Sequence, residues 1–372
     1  MKLYYLSNLR IPTEKAHGIQ IAKMCEAFAL NGLEVELIVP LKYNEIKADP
    51  YEYYNVERNF KITKVLCLDA LRLFINKFGF FIQTASFLFF ARIFLAFKRR
   101  GIIYTREVWA GLFFKDYVLE IHNLPKKINW LALRGLRRAG RLLVLTDFLK
   151  NEIAALGVER NKILVSADGV DLKNFDIEME KNQARKMVGL PLDKKIILYS
   201  GSFYLYDWKG VDVLIDAAKY LSDDELIILL GGKADEIAQI NGLRASNRIK
   251  LIERQPYKNI PVYLKAADIL VLPNKKGESI SEKYTSPLKL FEYMASGAPI
   301  VASDLPSLRE VLNNQNSVLV EPNSSERLAE GISQALGNGD LASKISAQAL
   351  KDVQQYSWQK RTGNIIKFIT DN

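Results

Sequence analysis

Residues 268–310 contain the pattern that most restricts the fold, because a strand, a polar loop, a helix and a second strand follow one another directly. Ile269–Leu272 predicts a short buried strand. Ser286 and Pro287 predict a helix start, with Ser at the N-cap and Pro at the first helical position. Gly297 predicts its end, and apolar residues then begin the next strand. Such a unit is typical of an open α/β sheet.

The start of this helix is a candidate anion site. In an open α/β sheet it lies at the carboxyl end of the preceding strand, where unpaired N–H groups and the helix dipole favour negative charge. Lys289 and Glu292 are three residues apart and therefore share the polar face. A phosphate could bind at the helix start, with the Glu292 carboxylate accepting hydrogen bonds from a ribose diol. A solvated amphipathic helix explains the same spacing equally well.

The segment SPLKLFEYMASGAPIVASDLPSLREVL resembles the donor-binding segment of the family-four retaining glycosyltransferases, nucleotide-sugar-dependent enzymes of the GT-B fold. Other segments extend the resemblance over nearly the whole chain. It implies an α/β fold of two facing, Rossmann-like, doubly wound domains with a C-terminal helix that returns to the first. We expect an acceptor-binding domain at 1–180, a nucleotide-sugar-binding domain at 181–352 and a terminal helix at 353–372. The polar residues 176–193 predict the linker.

Length and composition agree with this architecture. A chain of 372 residues suits two domains, and 49% hydrophobic with 25% charged residues is a globular composition. Cys25 and Cys67 show neither metal spacing nor a disulfide framework, which favours a reducing compartment. The opening MKLYYLSNLRIP turns polar after four apolar residues, so no secretory signal is expected. We therefore expect a cytoplasmic protein.

The net charge of +10 predicts an anionic partner, which is a nucleic acid, an anionic membrane or a phosphorylated ligand. Zinc-finger spacing and RNP-like runs are absent from the sequence, so nucleic acid is not expected. Residues 72–100 are the most hydrophobic part, and 78–97 has spanning length but contains Gln83 and Arg92. We favour a buried helix or helix pair over contact with a membrane surface, and rank a spanning segment last. The aromatic and basic edge of this helix or helix pair could contact lipid at the inner face of the membrane.

Two residues of the first half are site candidates. The loop at 8–18 lacks GxGxxG, which argues against a plain dinucleotide dehydrogenase. Gly18, where the next helix begins, would allow close backbone approach to a ligand, or would simply cap the helix. The resemblance implies a glycine near the donor diphosphate in this loop. A lone histidine is usually structural, but EIHNLP resembles the family segment with the active-site histidine, which implies that role for His122.

The second half supplies a candidate phosphate clamp. A strand at 196–200 runs into Gly201 and Ser202, and Lys209 precedes a helix, where a lysine binds phosphate or simply lies at the surface of a turn. The resemblance implies a basic pair here, commonly arginine then lysine. Lys209 matches the lysine, but Ser202 stands where arginine is frequent. That departure weakens the clamp or moves its work to one of three lysines: Lys289, Lys275 or Lys276.

The resemblance implies donor contacts, beyond Gly18, from one set of residues: Gly201, Ser202, Lys209, Arg254, Gln255, Pro256, Thr285, Ser286, Pro287, Leu288, Lys289 and Glu292. Of these, Arg254, Gln255 and Pro256 are the candidates for framing the nucleotide base. The family often has a glutamate eight residues before the ribose glutamate, but here that position is Tyr284. Either Glu282 or Ser286 serves the donor sugar, or the contact is lost. No Asp-x-Asp pair for a divalent metal occurs, so we expect neither metal nor cofactor, and lysines and helix N–H groups must meet the charge of the diphosphate.

Together these features predict a metal-independent, retaining glycosyltransferase with His122, Lys209 and Glu292 in catalytic roles. It would move a hexose-type sugar from a nucleotide diphosphate donor to a lipid-linked or cell-envelope glycan. One alternative is a nucleotide-sugar epimerase of the same architecture, which needs no acceptor surface. Another is a non-catalytic nucleotide-sugar-binding subunit, which the departures at Ser202 and Tyr284 favour.

Overall fold

The computed structural model describes residues 1–70, 77–125, 127–203, 207–234, 236–238 and 247–371. The chain forms two compact units, one of Met1–Ala167 with Trp358–Asn372 and the other of Asp168–Ser357. The division between Ala167 and Asp168 precedes the predicted linker at 176–193. That segment lies in the second unit and includes the helix Lys181–Met187.

The first unit is built on a seven-stranded parallel sheet with the order β3-β2-β1-β4-β5-β6-β7. Central β1 pairs with β2 on one side and with β4 on the other, so the strand order reverses at β1, where ligands bind in open α/β sheets. The seven strands are β1 (Lys2–Leu6), β2 (Glu34–Pro40), β3 (Lys61–Val65), β4 (Ile102–Thr105), β5 (Val118–Ile121), β6 (Arg141–Val144) and β7 (Ile163–Val165).

Helices flank this sheet. The helix Trp358–Thr370 belongs to the same unit, where Asn31 Nδ2 donates to Thr362 Oγ1 at 2.8 Å. The described helices of the unit are Ala16–Leu30, Pro50–Tyr54, Lys77–Ala96, Trp130–Arg138, Asp147–Ala155 and Trp358–Thr370, with 3-10 turns at Val108–Leu112 and Arg160–Lys162.

The apolar helix Lys77–Ala96 differs from the favoured expectation of a buried core helix. Within the described residues it is the one helix long and apolar enough to cross a bilayer, with mean hydropathy 1.7, yet only 33% of that window is buried. Its buried face includes the polar Gln83 and Thr84, and Thr84 Oγ1 accepts from Asn8 Nδ2 at 2.8 Å. Several of its large apolar side chains are exposed: Phe78, Phe80, Phe89 and Ile93. Residues 71–76 of the predicted apolar region lie outside the described ones.

The second unit contains a six-stranded parallel sheet with the order β10-β9-β8-β11-β12-β13. The strands predicted at 196–200, at Ile269–Leu272 and after Gly297 are confirmed, and Ile269–Leu272 has both of its predicted ends. The six strands are β8 (Lys195–Ser200), β9 (Glu225–Gly232), β10 (Ile249–Glu253), β11 (Ile269–Leu272), β12 (Ile300–Ser303) and β13 (Val318–Val320). Two parallel α/β sheets confirm the predicted fold class.

Helices cover the second sheet through a core of aliphatic side chains from β8, β9, β11 and β12. Among the described residues these helices are Leu172–Phe175, Lys181–Met187, Val211–Ala217, Ile260–Ala266, Leu288–Ser296, Pro306–Arg309, Ser325–Gly337 and Gly339–Asp352. Shorter helical turns lie at Asp207–Lys209, Ala218–Tyr220, Tyr257–Asn259, Ile280–Tyr284 and Val353–Tyr356.

The helix Leu288–Ser296 ends as predicted and begins differently. Gly297 follows it in the left-handed conformation, with φ of 74°, which confirms the predicted C-cap. The predicted N-cap role of Ser286 is wrong, because Pro287 occupies the N-cap position and no side chain caps the helix. Ser286 Oγ instead accepts from the buried backbone N–H of Asp168 at 3.0 Å. A buried N–H needs an acceptor, and this contact supplies one.

Candidate functional site

Two lysine ammonium groups flank the turn that follows β8. Lys209 Nζ donates to Ser202 Oγ at 2.6 Å. Lys289 Nζ also lies close to this turn, 2.9 Å from where a Cβ on Gly201 would be. Gly201 has φ of 144°, a conformation that L side chains rarely adopt. Ser202, which replaces the arginine frequent in the family, therefore orients Lys209 beside a second cation.

Burial lowers the pKa of both lysines. Burial is the main cause that lowers the pKa of Lys209 to about 8, with Glu236 opposing and Arg254 adding to the effect. Burial also holds the pKa of Lys289 well below its usual range, and the neighbouring charge of Lys209 lowers it further. Lys289 Nζ lies 3.7 Å from the ring centroid of Tyr199, where a cation–π contact stabilises its charge. A bound anion would favour the charged form of both groups.

Glu292 lies one helical turn after the start of the Leu288–Ser296 helix and is buried. Tyr257 Oη donates to Glu292 Oε1 at 3.0 Å. Burial raises the pKa of Glu292 to about 7, although the Tyr257 hydrogen bond and the Lys289 charge oppose the rise. This carboxyl therefore titrates near neutral pH, as functional carboxyls in clefts often do.

The predicted base-binding residues occupy the turn after β10. Arg254 and Pro256 are exposed, and Gln255 Nε2 donates to Glu253 O at 3.2 Å. Sequence reasoning placed candidates at these three positions and missed Tyr257, the next residue. No sequence pattern marks a tyrosine as the partner of a carboxylate 35 positions away, and only the fold brings them together.

The residues before the Leu288–Ser296 helix include two buried side chains and a carboxylate with a defined hydrogen-bond partner. Thr285 and Ser286 are buried, and they lead through Pro287 to Leu288 in the first helical turn. Glu282 Oε1 accepts from Gly277 N at 2.6 Å, so the loop backbone engages the carboxylate proposed as the substitute for the first family glutamate.

Of the three substitute lysines, Lys289 alone lies at the Gly201–Ser202 turn. Lys275 Nζ pairs with Asp207 Oδ1 at 2.8 Å and Asp212 Oδ2 at 3.0 Å. Lys276 is exposed, and its backbone N–H donates to Asn323. The structure thus brings together Gly201, Ser202, Lys209, Lys289 and Glu292.

Gly18 and His122 belong to the first unit. Gly18 lies in the first turn of the Ala16–Leu30 helix, where an added Cβ would be 2.3 Å from Tyr54 Oη. Packing therefore explains this glycine, and the capping explanation is wrong because Lys15 is the N-cap. His122 follows β5, is half-buried, and places Nε2 2.8 Å from Glu120 Oε1.

Glu120 is the centre of a buried polar network that the sequence did not reveal. Its carboxylate also accepts hydrogen bonds from Gln20, Tyr104 and Arg361. Burial alone would raise the pKa of Glu120, but the Arg361 guanidinium and His122 hold it well below its usual range. Because an ionised carboxylate only accepts hydrogen bonds, His122 Nε2 carries the proton that points at Glu120.

Residues 180–352 match the family described as glycosyl transferases group 1. The chain is 28% identical over 209 residues to a phosphatidyl-myo-inositol mannosyltransferase of Mycobacterium leprae, covering 55% of this chain and 54% of that protein. It is 26% identical over 239 residues to a D-inositol 3-phosphate glycosyltransferase of Jonesia denitrificans, covering 59% and 54%. The chain thus spans about half the length of such curated relatives.

Solved structures share the fold over nearly the full chain. A sucrose-phosphate synthase from Thermosynechococcus elongatus matches with a TM-score of 0.78 at 18% identity, covering 98% of this chain and 97% of that one. HepE of Anabaena, solved in complex with UDP-glucose, matches with a TM-score of 0.73 at 17% identity, covering 100% and 99%. Residues 180–352 are thus similar to the group 1 glycosyltransferases, and the chain has the two-sheet α/β fold of the GT-B glycosyltransferases.

Proposed function

We propose that the protein is a retaining, metal-independent glycosyltransferase that moves a hexose-type sugar from a nucleotide diphosphate donor. One observation carries the proposal: Lys209 and Lys289 both lie at the Gly201–Ser202 turn, and Glu292 lies one helical turn after Lys289 on the same helix. Two cations beside a helix start that no side chain caps suit a diphosphate, and a carboxylate at that distance suits the adjoining ribose.

The chemistry requires charge stabilisation more than proton transfer. Breaking the bond between sugar and diphosphate leaves negative charge on the departing phosphate, and donors fixed in advance stabilise it. Lys209 and Lys289 supply these charges in our proposal, and the N–H groups at the start of the Leu288–Ser296 helix add to them. The role of His122 at the donor sugar, and the retention of configuration, rest on the family resemblance.

The relatives support the choice of donor and acceptor class. HepE was solved with UDP-glucose, which supports a nucleotide-sugar donor for this chain. The name phosphatidyl-myo-inositol mannosyltransferase supports a lipid-linked acceptor. We propose the same two classes here, with the donor bound by the second unit.

Replacing Glu292 with glutamine tests donor binding. The variant keeps the shape of the side chain but removes its charge, and a hydrogen bond to a charged group contributes about 1.5–3 kcal/mol. We expect Kd for the donor to rise about 10- to 150-fold by that measure. Calorimetry with UDP-glucose and GDP-mannose in the presence of EDTA gives the affinity. Glu326→Gln, an exposed glutamate of the same unit, is the matched control.

The proposed donor site is contradicted if neither nucleotide sugar binds, or if Glu292→Gln binds as tightly as the wild type. Turnover separates the three candidate functions. Release of nucleoside diphosphate that depends on membrane extract supports a transferase, whereas interconversion of the sugar without release supports an epimerase. Binding without either reaction supports a non-catalytic subunit.

We also propose that the protein acts at an anionic membrane surface, in contact through the Lys77–Ala96 helix. Phe89 and Ile93 are exposed on this helix, and the exposed Arg99 and Arg100 follow its end. Aromatic and aliphatic side chains beside arginines suit the headgroup region of an anionic bilayer.

Removing the two arginines tests this contact. Each basic residue near an anionic surface contributes about 1 kcal/mol, so we expect Arg99→Ala with Arg100→Ala to weaken vesicle binding roughly 30-fold. Flotation with vesicles containing phosphatidylglycerol, at low and at high salt, measures it. Leu192→Ser removes an exposed leucine in the other unit and serves as the control. A wild-type protein that ignores these vesicles at low salt rules the contact out.

A further inference from the structure

We propose that Tyr257 is a positioning residue for Glu292, holding one carboxylate oxygen so that the other is presented to the ribose hydroxyls of the donor. The inference rests on the proposed function, because it assumes that Glu292 binds the donor. Tyr257 is not among the residues that the family resemblance implied. It directly follows residues 254–256, which are candidates for contact with the base and not with the ribose.

The contact is directional and leaves half of the carboxylate available. Tyr257 Oη donates to Glu292 Oε1 at 3.0 Å. Within the described part of the chain, no residue donates a hydrogen bond to the second oxygen, Oε2. A carboxylate with one oxygen fixed has its orientation defined, and so does the direction in which its other oxygen accepts hydrogen bonds.

The tyrosine ring is itself held in place. Its centroid lies 5.9 Å from that of Phe175 in an edge-to-face arrangement, and Phe175 is buried. Tyr257 also opens the 3-10 turn Tyr257–Asn259, in which Asn259 N donates to Pro256 O at 2.9 Å. A ring packed on one side, on a backbone fixed by a turn, gives the hydroxyl a defined position.

This arrangement couples two parts of the donor site. Arg254, Gln255 and Pro256, the predicted base contacts, directly precede Tyr257 in the chain. A displacement of this turn by a poorly fitting base would move the tyrosine hydroxyl and release Glu292 Oε1. Base recognition would then affect ribose binding, so a wrong nucleotide would lose contacts at both places.

The charges around Glu292 set its protonation in the free protein. Burial raises its pKa to about 7, while the Tyr257 hydroxyl and the Lys289 ammonium act in the opposite direction. Lys289 is in turn repelled by Lys209. Of the other groups near this helix, Tyr293 responds to the Glu292 charge, whereas Lys173 and Asp176 border Ala295 at the far end.

The test is the pH profile of donor binding by the variant Tyr257→Phe, which keeps the ring and removes only the hydroxyl. In the wild type, binding should weaken below about pH 7 as Glu292 gains a proton, and above about pH 8 as Lys209 loses one. We expect the variant to shift the acidic limb upward by about one to two pH units, the equivalent of one hydrogen bond to a charged group. The alkaline limb should stay in place.

Tyr263→Phe, which alters a buried tyrosine on the Ile260–Ala266 helix, is the matched control and should leave both limbs unchanged. The titration of the Glu292 carboxyl carbon, followed by NMR in the free protein, gives a second readout that needs no ligand. An unshifted carboxyl titration in Tyr257→Phe overturns the inference.

The two proposals fail in different ways. If Glu292→Gln binds UDP-glucose as tightly as the wild type does, the donor site itself is wrong. If Glu292→Gln is impaired but Tyr257→Phe keeps the wild-type acidic limb, only the positioning role is wrong.

Discussion

Replacing Lys209 with alanine is expected to lower kcat about 30- to 1,000-fold, the equivalent of about 2–4 kcal/mol of transition-state stabilisation by comparison with the loss of one oxyanion donor. Lys209 Nζ is fixed by Ser202 Oγ at 2.6 Å, so it meets developing charge without having to be ordered during the reaction. Lys289 lies on the other side of the same turn and accounts for the activity that remains.

The variant Lys209→Arg provides a sharper version of this experiment. Burial lowers the pKa of Lys209 to about 8, so the wild-type rate should fall as pH rises through that value and the cation is lost. Arginine stays charged, so the part of the alkaline fall that Lys209 causes should disappear in that variant. Lys219→Ala, at an exposed lysine, is the control. Full activity of Lys209→Ala, measured as release of nucleoside diphosphate, would remove this lysine from the mechanism.

Replacing Arg361 with methionine is expected to lower the free energy of unfolding by about 3–5 kcal/mol, the usual cost of leaving a buried charge without its partner. Arg361 is 4% exposed and Glu120 is 1% exposed, and Arg361 Nη2 donates to Glu120 Oε1 at 2.8 Å. The same guanidinium donates from Nε to Ala167 O at 2.7 Å. Methionine keeps much of the packing volume and removes every one of these hydrogen bonds.

The pH dependence of this loss has a defined sign. Because the pKa of Glu120 is held below its ordinary value of 4.5, its ionisation stabilises the wild type above that pH, and the contribution is lost as pH falls through the lower folded value. The deficit of Arg361→Met should therefore be largest near neutral pH and smaller in acid. Urea unfolding followed by tryptophan fluorescence measures it.

The control is Arg58→Ala in the same unit, where Arg58 Nη2 pairs with Asp49 Oδ1 at 2.9 Å with a side chain that is 62% exposed. An exposed pair contributes about 0–1 kcal/mol. Equal losses in the two variants would contradict the assignment of Arg361 as a buried anchor.

The fold followed from sequence patterns because parallel strands in α/β sheets are short apolar runs bounded by polar residues. β11 has the predicted bounds, Ile269–Leu272, since its apolar run ends abruptly. The Lys77–Ala96 helix was harder, because a run that is apolar all round carries no information about which face is buried. Tertiary contacts settled it, with Gln83 and Thr84 on the buried side.

The candidate site was predictable only where its residues are close in sequence. Lys289 and Glu292 share one helix, so their spacing indicated a common face. From the sequence, Ser202 was interpreted as the loss of an arginine from the phosphate clamp. Its contact with Lys209, seven positions away around a turn, is visible only in the fold. Tyr257 and Glu120 carry no local signal at all, since their partners come from other elements of the sheet and its helices. Ser286 failed as a cap because a distant amide uses its hydroxyl.

The order in which a ribosome makes this chain has a consequence for the first unit. All of Asp168–Ser357 is synthesised between β7 and the helix Trp358–Thr370. Until Arg361 emerges, the nascent Glu120 carboxylate lacks its guanidinium partner, and burying it then is unfavourable. We therefore expect the first unit to mature last, although most of it is synthesised first. A nascent chain stalled before residue 358 should be sensitive to protease within the first unit.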